Sequence, residues 1–518
     1  MNLSKHSKCL LIVVLILLNF IIRIPSIPHE MGNDGFSIHI LANSISRFGY
    51  AGWWAHPSSI FGFYPYSYAS AVPFILSGIS QCTGIEMERV IWMFCVIIGL
   101  FSAFTAYLLA GAIWDNYIFK FLVAFSYSLS PGILAFSTWD VSTRGLFLVL
   151  LPLFIYLLLK IRTSIKYSII IFILFTLLMT THHYFFLTIP IIFSLVILII
   201  LYKFKRIVKF KNLNNFVNIA FIIGLLGMFM LPLVTGIFVE WSKYDELHWM
   251  LESNIRYTGI LIFFAITGLT YLSLKHNKRF EEWFFLLTLM SLTIFLYMGT
   301  YAHYFNIIFA CTLISIALTN IVRVEKQKRK YAFTIIIIVL LLSVSFSGFY
   351  QHWRTHKGKA IAGEWYMDER THTGASWIKD NINQNKRLVG FDELTGRRIF
   401  AISEVPTLVG ASPTSMLTYG FTTLKGANMS KNSPLSAEFY MDSPYILKPF
   451  SIPSPERDFY ALGFQKFDGW LGKPIINRYN LSYAIENRDT GENTFIRSVR
   501  IEKDNVYDNG KIRVWNLD

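Results

Sequence analysis

Hydrophobic runs separated by short polar breaks fill the first two thirds of the chain. Runs long enough to cross a bilayer fall at about 9–24, 90–113, 118–137, 143–160, 168–182, 185–202, 216–239, 257–274, 283–299, 302–322 and 331–349. A crossing helix needs roughly 20 mostly apolar residues. The first run, in "MNLSKHSKCLLIVVLILLNFIIR", has no convincing small-residue cleavage site after it and reads as an uncleaved span. The stretch 66–85, "YSYASAVPFILSGISQCTGI", is apolar but broken by Pro73 and Gly78 and rich in Ser and Thr.

Basic residues decide how that stretch is counted. Clusters at Lys160/Arg162/Lys166, Lys203/Lys205/Arg206/Lys209/Lys211, Lys275/Lys278/Arg279 and Arg323/Lys326/Lys328/Arg329/Lys330 all fall on the side of Lys5 and Lys8 if 66–85 does not cross. They all fall on the opposite side if it does. Lys and Arg collect on the cytoplasmic face, so 66–85 is expected to be an outer-surface or re-entrant helix. The count becomes eleven spans, amino terminus inside and carboxyl terminus outside.

Beyond residue 350 the pattern changes. Long apolar runs stop, and Asp, Glu, Asn, Pro and Gly become common. "EWYMDERTHTGASWIKDNINQ" has helical spacing, "RLVGFD" and "LSYAIE" read as strands, and "NVYDNGKIRVWNL" places Asn509-Gly510 between two alternating arms, a hairpin signal. The expected architecture is a polytopic α-helical membrane domain over 1–349, with a first outer loop over 25–89. A small mixed α/β extracytoplasmic domain would follow over 350–518.

Composition agrees with a membrane location: 54% of the 518 residues are hydrophobic and 15% charged. A net charge of +15 would suggest nucleic acid in a soluble chain, but here it follows the membrane topology. The four cysteines are not spaced like a zinc site or a disulfide framework.

This topology gathers the polar residues of interest on the outer face. The first outer loop holds Glu30, Asp34, His39, Arg47 and His56; the second, "FSTWDVSTRG", holds Asp140 and Arg144. His182 and His183 lie in the third, Lys243 and Arg256 in the fourth, and His303 in "GTYAHYF". After Asp34, residues Phe36, Ile40, Leu41, Ile45 and Phe48 share one helical face. They predict an amphipathic helix in the interface plane, with Trp53 and Trp54 as headgroup anchors. From the residues alone, Asp34 is open to two readings, a helix N-cap or a carboxylate held at the depth of a lipid phosphate. Each cation is equally open to being a snorkelling or loop-solvating charge. The spans carry no clear charge away from their ends, which counts against an ion-coupled transporter.

The order of these features resembles the GT-C superfamily of membrane glycosyltransferases, which use polyprenyl-phosphate-linked sugars. It runs from an early outer-loop Asp and an interfacial helix through "FYPYSYASAVPFILSGISQCTGIE" and a span opening after "MERV" to a second-loop Asp. The resemblance extends to archaeal and bacterial members that end in an exported α/β domain. It implies that Asp34 is the general base and that Asp140 is the second-loop acid. With one acid per loop, a divalent cation (magnesium or manganese) would have Asp34 and Asp140 as its ligands. Glu30, Arg144, His182, His183, Lys243, Arg256 and His303 are the candidates for holding phosphate or sugar. The Trp-Trp-Asp-Tyr-Gly signature of oligosaccharyltransferases is absent, which disfavours whole-glycan transfer to asparagine. The expected function is inverting transfer of a sugar from a polyprenyl-phosphate carrier to a protein, lipid or glycan acceptor at the outer face of a plasma membrane. The alternatives are a lipid-linked sugar flippase or transporter and a non-catalytic membrane-anchored scaffold.

Overall fold

The computed structural model describes residues 4–49, 69–207, 213–236, 243–297, 299–322, 329–357, 366–410, 420–421, 429–431, 445–447 and 455–518. Helices dominate up to residue 357. They are α1 (Lys5–Ile21), α2 (Asn33–Phe48), α3 (Ala71–Thr83), α4 (Met87–Ile113), α5 (Tyr117–Ser128), α6 (Pro131–Leu134), α7 (Thr143–Lys160) and α8 (Tyr167–Thr181). They continue with α9 (Thr188–Ile207), α10 (Leu213–Thr235), α11 (Lys243–Thr258), α12 (Phe263–Leu274), α13 (Phe280–Thr293), α14 (Gly299–Val322) and α15 (Arg329–Lys357).

Among the described residues, seven helices are long and apolar enough to cross a membrane, or eight if the bent pair Met250–Thr258 and Ile260–Leu274 is one span. By this measure α1, α5 and α8 are short, as is α3, whose 13 residues fall below a bilayer's thickness. Outward faces carry bare apolar side chains such as Phe172, Phe193, Ile223, Ile266 and Leu341, as a lipid-facing surface requires.

Three predicted runs differ from the helices observed. The run 118–137 does not continue through Pro131: α5 ends at Ser128 and Ser130 adopts extended backbone, as a residue before proline prefers. The run 257–274 bends by 114° at Gly259, whose φ of +87° suits glycine. The last run does not stop at 349, because α15 carries on as "YQHWRTHK" to Lys357.

The helical core centres on α4, which packs against α5 and α7, while α14 packs against α5 and α12. Arg23, just past α1, is fully buried. It donates to Asn19 O and Oδ1 (both 2.9 Å), Ser128 O (2.8 Å) and Ser137 Oγ (3.0 Å). A buried guanidinium is tolerated only with such partners, and these fix the end of α1 to α5 and the loop after α6.

The C-terminal region opens with α16 (Glu369–Asn381), β1 (Arg387–Gly390), α17 (Glu393–Ser403) and β2 (Thr407–Leu408). Met429–Lys431 (β3) pairs antiparallel with Tyr445–Leu447 (β4). The later strands are β5 (Leu481–Asn487), β6 (Asn505–Asp508) and β7 (Ile512–Asn516). The main sheet runs β2-β1-β5-β7-β6, parallel from β2 to β5 and antiparallel from β5 to β6. The β6–β7 hairpin turns at Asn509-Gly510, with Gly510 at φ +87°.

The helix following Asp34 is present as α2, but its apolar face does not rest on lipid. Phe36, Ile40 and Leu41 are buried in the core of the C-terminal region with Ile399 and Phe400 of α17, while Ile38 and Ala42 face the helical core. Arg397 donates to Asn33 Oδ1 (2.9 Å) and Ser37 Oγ (3.2 Å), and Asn43 donates to Ala401 O (2.8 Å), pinning α2 to α17. Burial against protein outweighs a place in the interface because it removes the same apolar area and also satisfies these polar groups. Trp53, Trp54 and His56 lie outside the described residues.

Candidate active site

Three chain segments are tied together at the amino end of α2. Met31 N–H donates to Trp139 O (3.1 Å), Met367 N–H donates to Glu30 O (3.1 Å), and Met31 bridges to Tyr366. Trp139 takes a left-handed φ of +57°, which a non-glycine residue rarely adopts. Sharp turns of this kind recur at functional sites, and here the turn leads directly to Asp140. On the facing segment Gly32 has φ +91°, and a β-carbon there would fall 2.1 Å from Asp140 Oδ1. Only glycine allows this approach.

Asp34 and Asp140 thereby line one cavity of about 460 Å3, together with Arg144, Arg256, Tyr304, Trp353 and Arg354. Asp34 sits in the first turn of α2 behind the N-cap residue Gly32, so it is not itself the cap. Its Oδ2 lies 3.2 Å from Arg144 Nη2, and its side chain is 41% exposed. Asp140 is 10% exposed and accepts from Arg354 Nη2 at 2.5 Å. Burial pushes the Asp140 carboxyl up to about 6; Arg354 opposes that rise and the nearby Asp34 adds to it. The two carboxylates are therefore unlike, one reachable and one sheltered.

Three guanidiniums face these two acids. Arg144 stands over the Phe136 ring (5.6 Å), and Ser142, the N-cap of α7, accepts from Arg144 N–H. Arg256 donates from Nε to Tyr350 Oη at 2.7 Å. Tyr304 stacks at a tilt on Tyr257, with centroids 4.3 Å apart. Such a lining offers positive charge and a helix amino terminus to an anion. It suits a divalent cation poorly, because each carboxylate already answers a guanidinium, Asp34 that of Arg144 and Asp140 that of Arg354.

The remaining predicted site residues lie elsewhere. Glu30 is fully buried against His39 (Oε1 to Nδ1, 2.5 Å), and burial holds its carboxyl above the usual range despite that partner. His182 is buried beside Phe147, and His303 is buried next to Tyr304 without lining the cavity. The side chains of His183 and Lys243 are outside the described residues. Tyr304, Trp353 and Arg354 were not anticipated, because they stand on helices read as plain spans or just beyond one.

A larger cavity of about 540 Å3 runs along α2 between the start of α4 and α16–α17, lined by His39, Arg47, Glu88, Lys379 and Glu404 among others. Several of its charges are already paired, as in Lys379–Glu404 (2.9 Å), His39–Glu30 (2.5 Å) and Glu88–His29 (3.1 Å), and neither Asp34 nor Asp140 lines it. The smaller cavity is the better candidate for chemistry.

No family model matches the sequence, and no curated protein matches it. Solved structures do match. The oligosaccharyltransferase of Archaeoglobus fulgidus, in a complex with zinc and sulfate, superposes with a TM-score of 0.60 at 14% identity, over 92% of this chain and 68% of that one. ArnT from Cupriavidus metallidurans bound to undecaprenyl phosphate gives 0.57 at 10% identity, over 100% and 99%. The mycobacterial arabinofuranosyltransferase AftD gives 0.50 at 13% identity, over 100% of this chain and 42% of that one. At these identities the likeness is one of fold alone, a fold shared with these three transferases.

Proposed function

We propose that the chain is a glycosyltransferase that takes a sugar from a polyprenyl-phosphate carrier and passes it, with inversion, to an acceptor hydroxyl or amide at the outer face of the membrane. The observation that carries this reading is the single cavity in which an exposed Asp34 and a sheltered Asp140 meet three arginines. The neighbours' lipid ligands support it: undecaprenyl phosphate in ArnT, and dolichol phosphate in another structure of the archaeal enzyme.

In this reading the carrier phosphate docks on Arg144, Arg256 and Arg354. As it enters it draws Arg144 away from Asp34. The acceptor oxygen or nitrogen attacks the anomeric carbon, and its proton passes to the Asp34 carboxylate. The bond from that carbon to the phosphate oxygen breaks, and the electron pair leaves with the phosphate. The guanidiniums neutralise the charge that develops there. Asp140, held by Arg354, positions the arginine rather than moving a proton. In the same reading the C-terminal region, which packs on α2, holds the acceptor. The membrane orientation follows the basic clusters, with the carboxyl-terminal region outside a plasma membrane.

The test is release of sugar from polyprenyl-phosphate-sugar by membranes carrying the chain, compared with Asp34→Asn at equal expression. Release that depends on Asp34 is expected. Equal release by both forms would remove Asp34 from the chemistry.

A further inference from the structure

Away from the cavity, three residues far apart in sequence converge behind the first outer loop. They are His29 of that loop, Glu88 in the first turn of α4 and His372 of α16. One ligand-type atom from each lies within 4.8 Å of the others. His29 Nδ1 is 3.1 Å from Glu88 Oε1, and His372 Nε2 is 3.6 Å from Glu88 Oε2. Around a tetrahedral ion with bonds of about 2.0–2.2 Å, neighbouring donors stand roughly 3.3–3.5 Å apart. Both contacts to the Glu88 carboxylate are near that spacing, and the two imidazole nitrogens lie within 4.8 Å of each other.

Two features beyond the cluster point to a ligand. Glu369 Oε2 lies 3.1 Å from the other ring nitrogen of His29, Nε2. A carboxylate on the far nitrogen fixes the tautomer that turns the near nitrogen's lone pair toward a metal, the arrangement typical of metal-bound histidines. The acid at the centre is also set in place by backbone: Glu30 N–H donates to Glu88 Oε1 at 3.1 Å. His29 and Glu88 are largely buried, with side chains 12% and 10% exposed.

We propose that His29, Glu88 and His372 form a site for a zinc-class divalent cation, with Glu369 as the carboxylate behind His29. Two imidazoles and one carboxylate suit zinc or its nitrogen-preferring neighbours and are a poor match for magnesium or calcium, which take oxygen ligands. Ion binding requires one rearrangement. The His29 and His372 rings now stack, with centroids 3.7 Å apart and planes 8° from parallel, and both must turn about their Cβ–Cγ bonds to aim at a shared point. The ion joins the first outer loop, the start of α4 and α16 at one position. That position lies five residues before Asp34, on the segment whose Glu30 and Met31 pair with Met367 and Trp139. It is separate from the Asp34–Asp140 cavity and stands whether or not the chain transfers sugar.

The experiment uses the full chain in nanodiscs, equilibrated with buffered zinc chloride and then assayed for bound metal. About one zinc per chain is expected, with affinity at least tenfold weaker in His29→Gln and in His372→Gln. The paired change Asp34→Asn with Asp140→Asn should leave the zinc in place. Zinc K-edge absorption on the unaltered protein, which needs no variant to fold, should show imidazole scattering from two rings. Chelation should lower the melting temperature of the native chain and leave that of His372→Gln unmoved. The proposal is overturned if the native chain takes up no zinc, if an oxygen-only shell is seen, or if the metal leaves with the aspartates instead of the histidines.

Discussion

Gly32 and Asp140 come from different interhelical segments, yet a β-carbon on the first would sit 2.1 Å from a carboxylate oxygen of the second. The contact makes the position of Asp140 depend on the absence of a side chain 108 residues earlier in the chain. Gly32→Ala should displace Asp140 and also strain a backbone at φ +91°, at a cost of about 1–3 kcal/mol. Sugar transfer should fall at least tenfold with the protein still inserted and folded, measured as turnover per chain after size-exclusion purification.

Asp34 and Arg144 should separate in kinetics. If Asp34 takes the acceptor's proton, Asp34→Asn lowers kcat by about 10²–10⁴-fold and changes the KM for lipid donor little. Arg144→Gln should instead raise that KM, because it removes a phosphate partner. Matching effects from the two changes would place both residues in one structural ion pair and not in separate roles.

The stability of the chain should carry a signature of Asp140. An acid whose pKa rises on folding, here from an ordinary 3.8 to about 6, binds its proton more tightly when folded. Its contribution is complete below the ordinary value and is lost as pH climbs through about 6. At pH 7 the folded state bears the charged form at a cost of up to about 3 kcal/mol. Asp140→Asn removes that slope. The melting temperature of the variant relative to the native chain should therefore improve between pH 5 and pH 7.

Arg354 is the main influence holding the Asp140 carboxyl down against burial. Arg354→Gln should therefore raise the pKa of Asp140 further, and the pH range over which the chain loses melting temperature should move upward. In Arg354→Lys, which keeps the charge, that range should stay near its native position. A range that ignores both changes would show that Arg354 does not hold the Asp140 carboxyl down.

Phe36 tests the seating of α2. It is fully buried in the core of the C-terminal region, with the Arg398 guanidinium 5.6 Å from its ring centroid. Phe36→Ala should cost about 3–5 kcal/mol and speed proteolytic release of the C-terminal region. Ser44→Ala on the same helix should not, because among the described residues that hydroxyl bonds within its own helix, at Ile40 O.

Much of this molecule is legible in its amino acids because the bilayer imposes simple demands. Apolar length marks most of the helices, and Asn509-Gly510 marks a hairpin by turn chemistry. Asp34, Asp140, Arg144 and Arg256 could be named because they stand in polar breaks. Arg354 could not. It lies past an apolar run in "YQHWRTHK", which reads as solvated chain until α15 is seen to continue through it. His29, Glu88 and His372 gave no local spacing signal, since 59 and then 284 residues separate them. The burial of α2 against the C-terminal region is hidden from the sequence for a related reason. Phe36, Ile40 and Leu41 show that the helix buries one side, but a periodic stripe does not distinguish lipid from another part of the same chain.

That shared helix restricts how the chain can be recombined. A chimaera made by joining the first 349 residues to the tail of another protein of this fold would carry α2 into a strange partner, with Phe36, Ile40, Leu41 and Asn43 facing a surface not shaped for them. A workable graft has to exchange residues 33–48 together with the tail. Because Asp34 lies within those residues, choosing a new tail also means choosing the stretch of backbone that presents the acid.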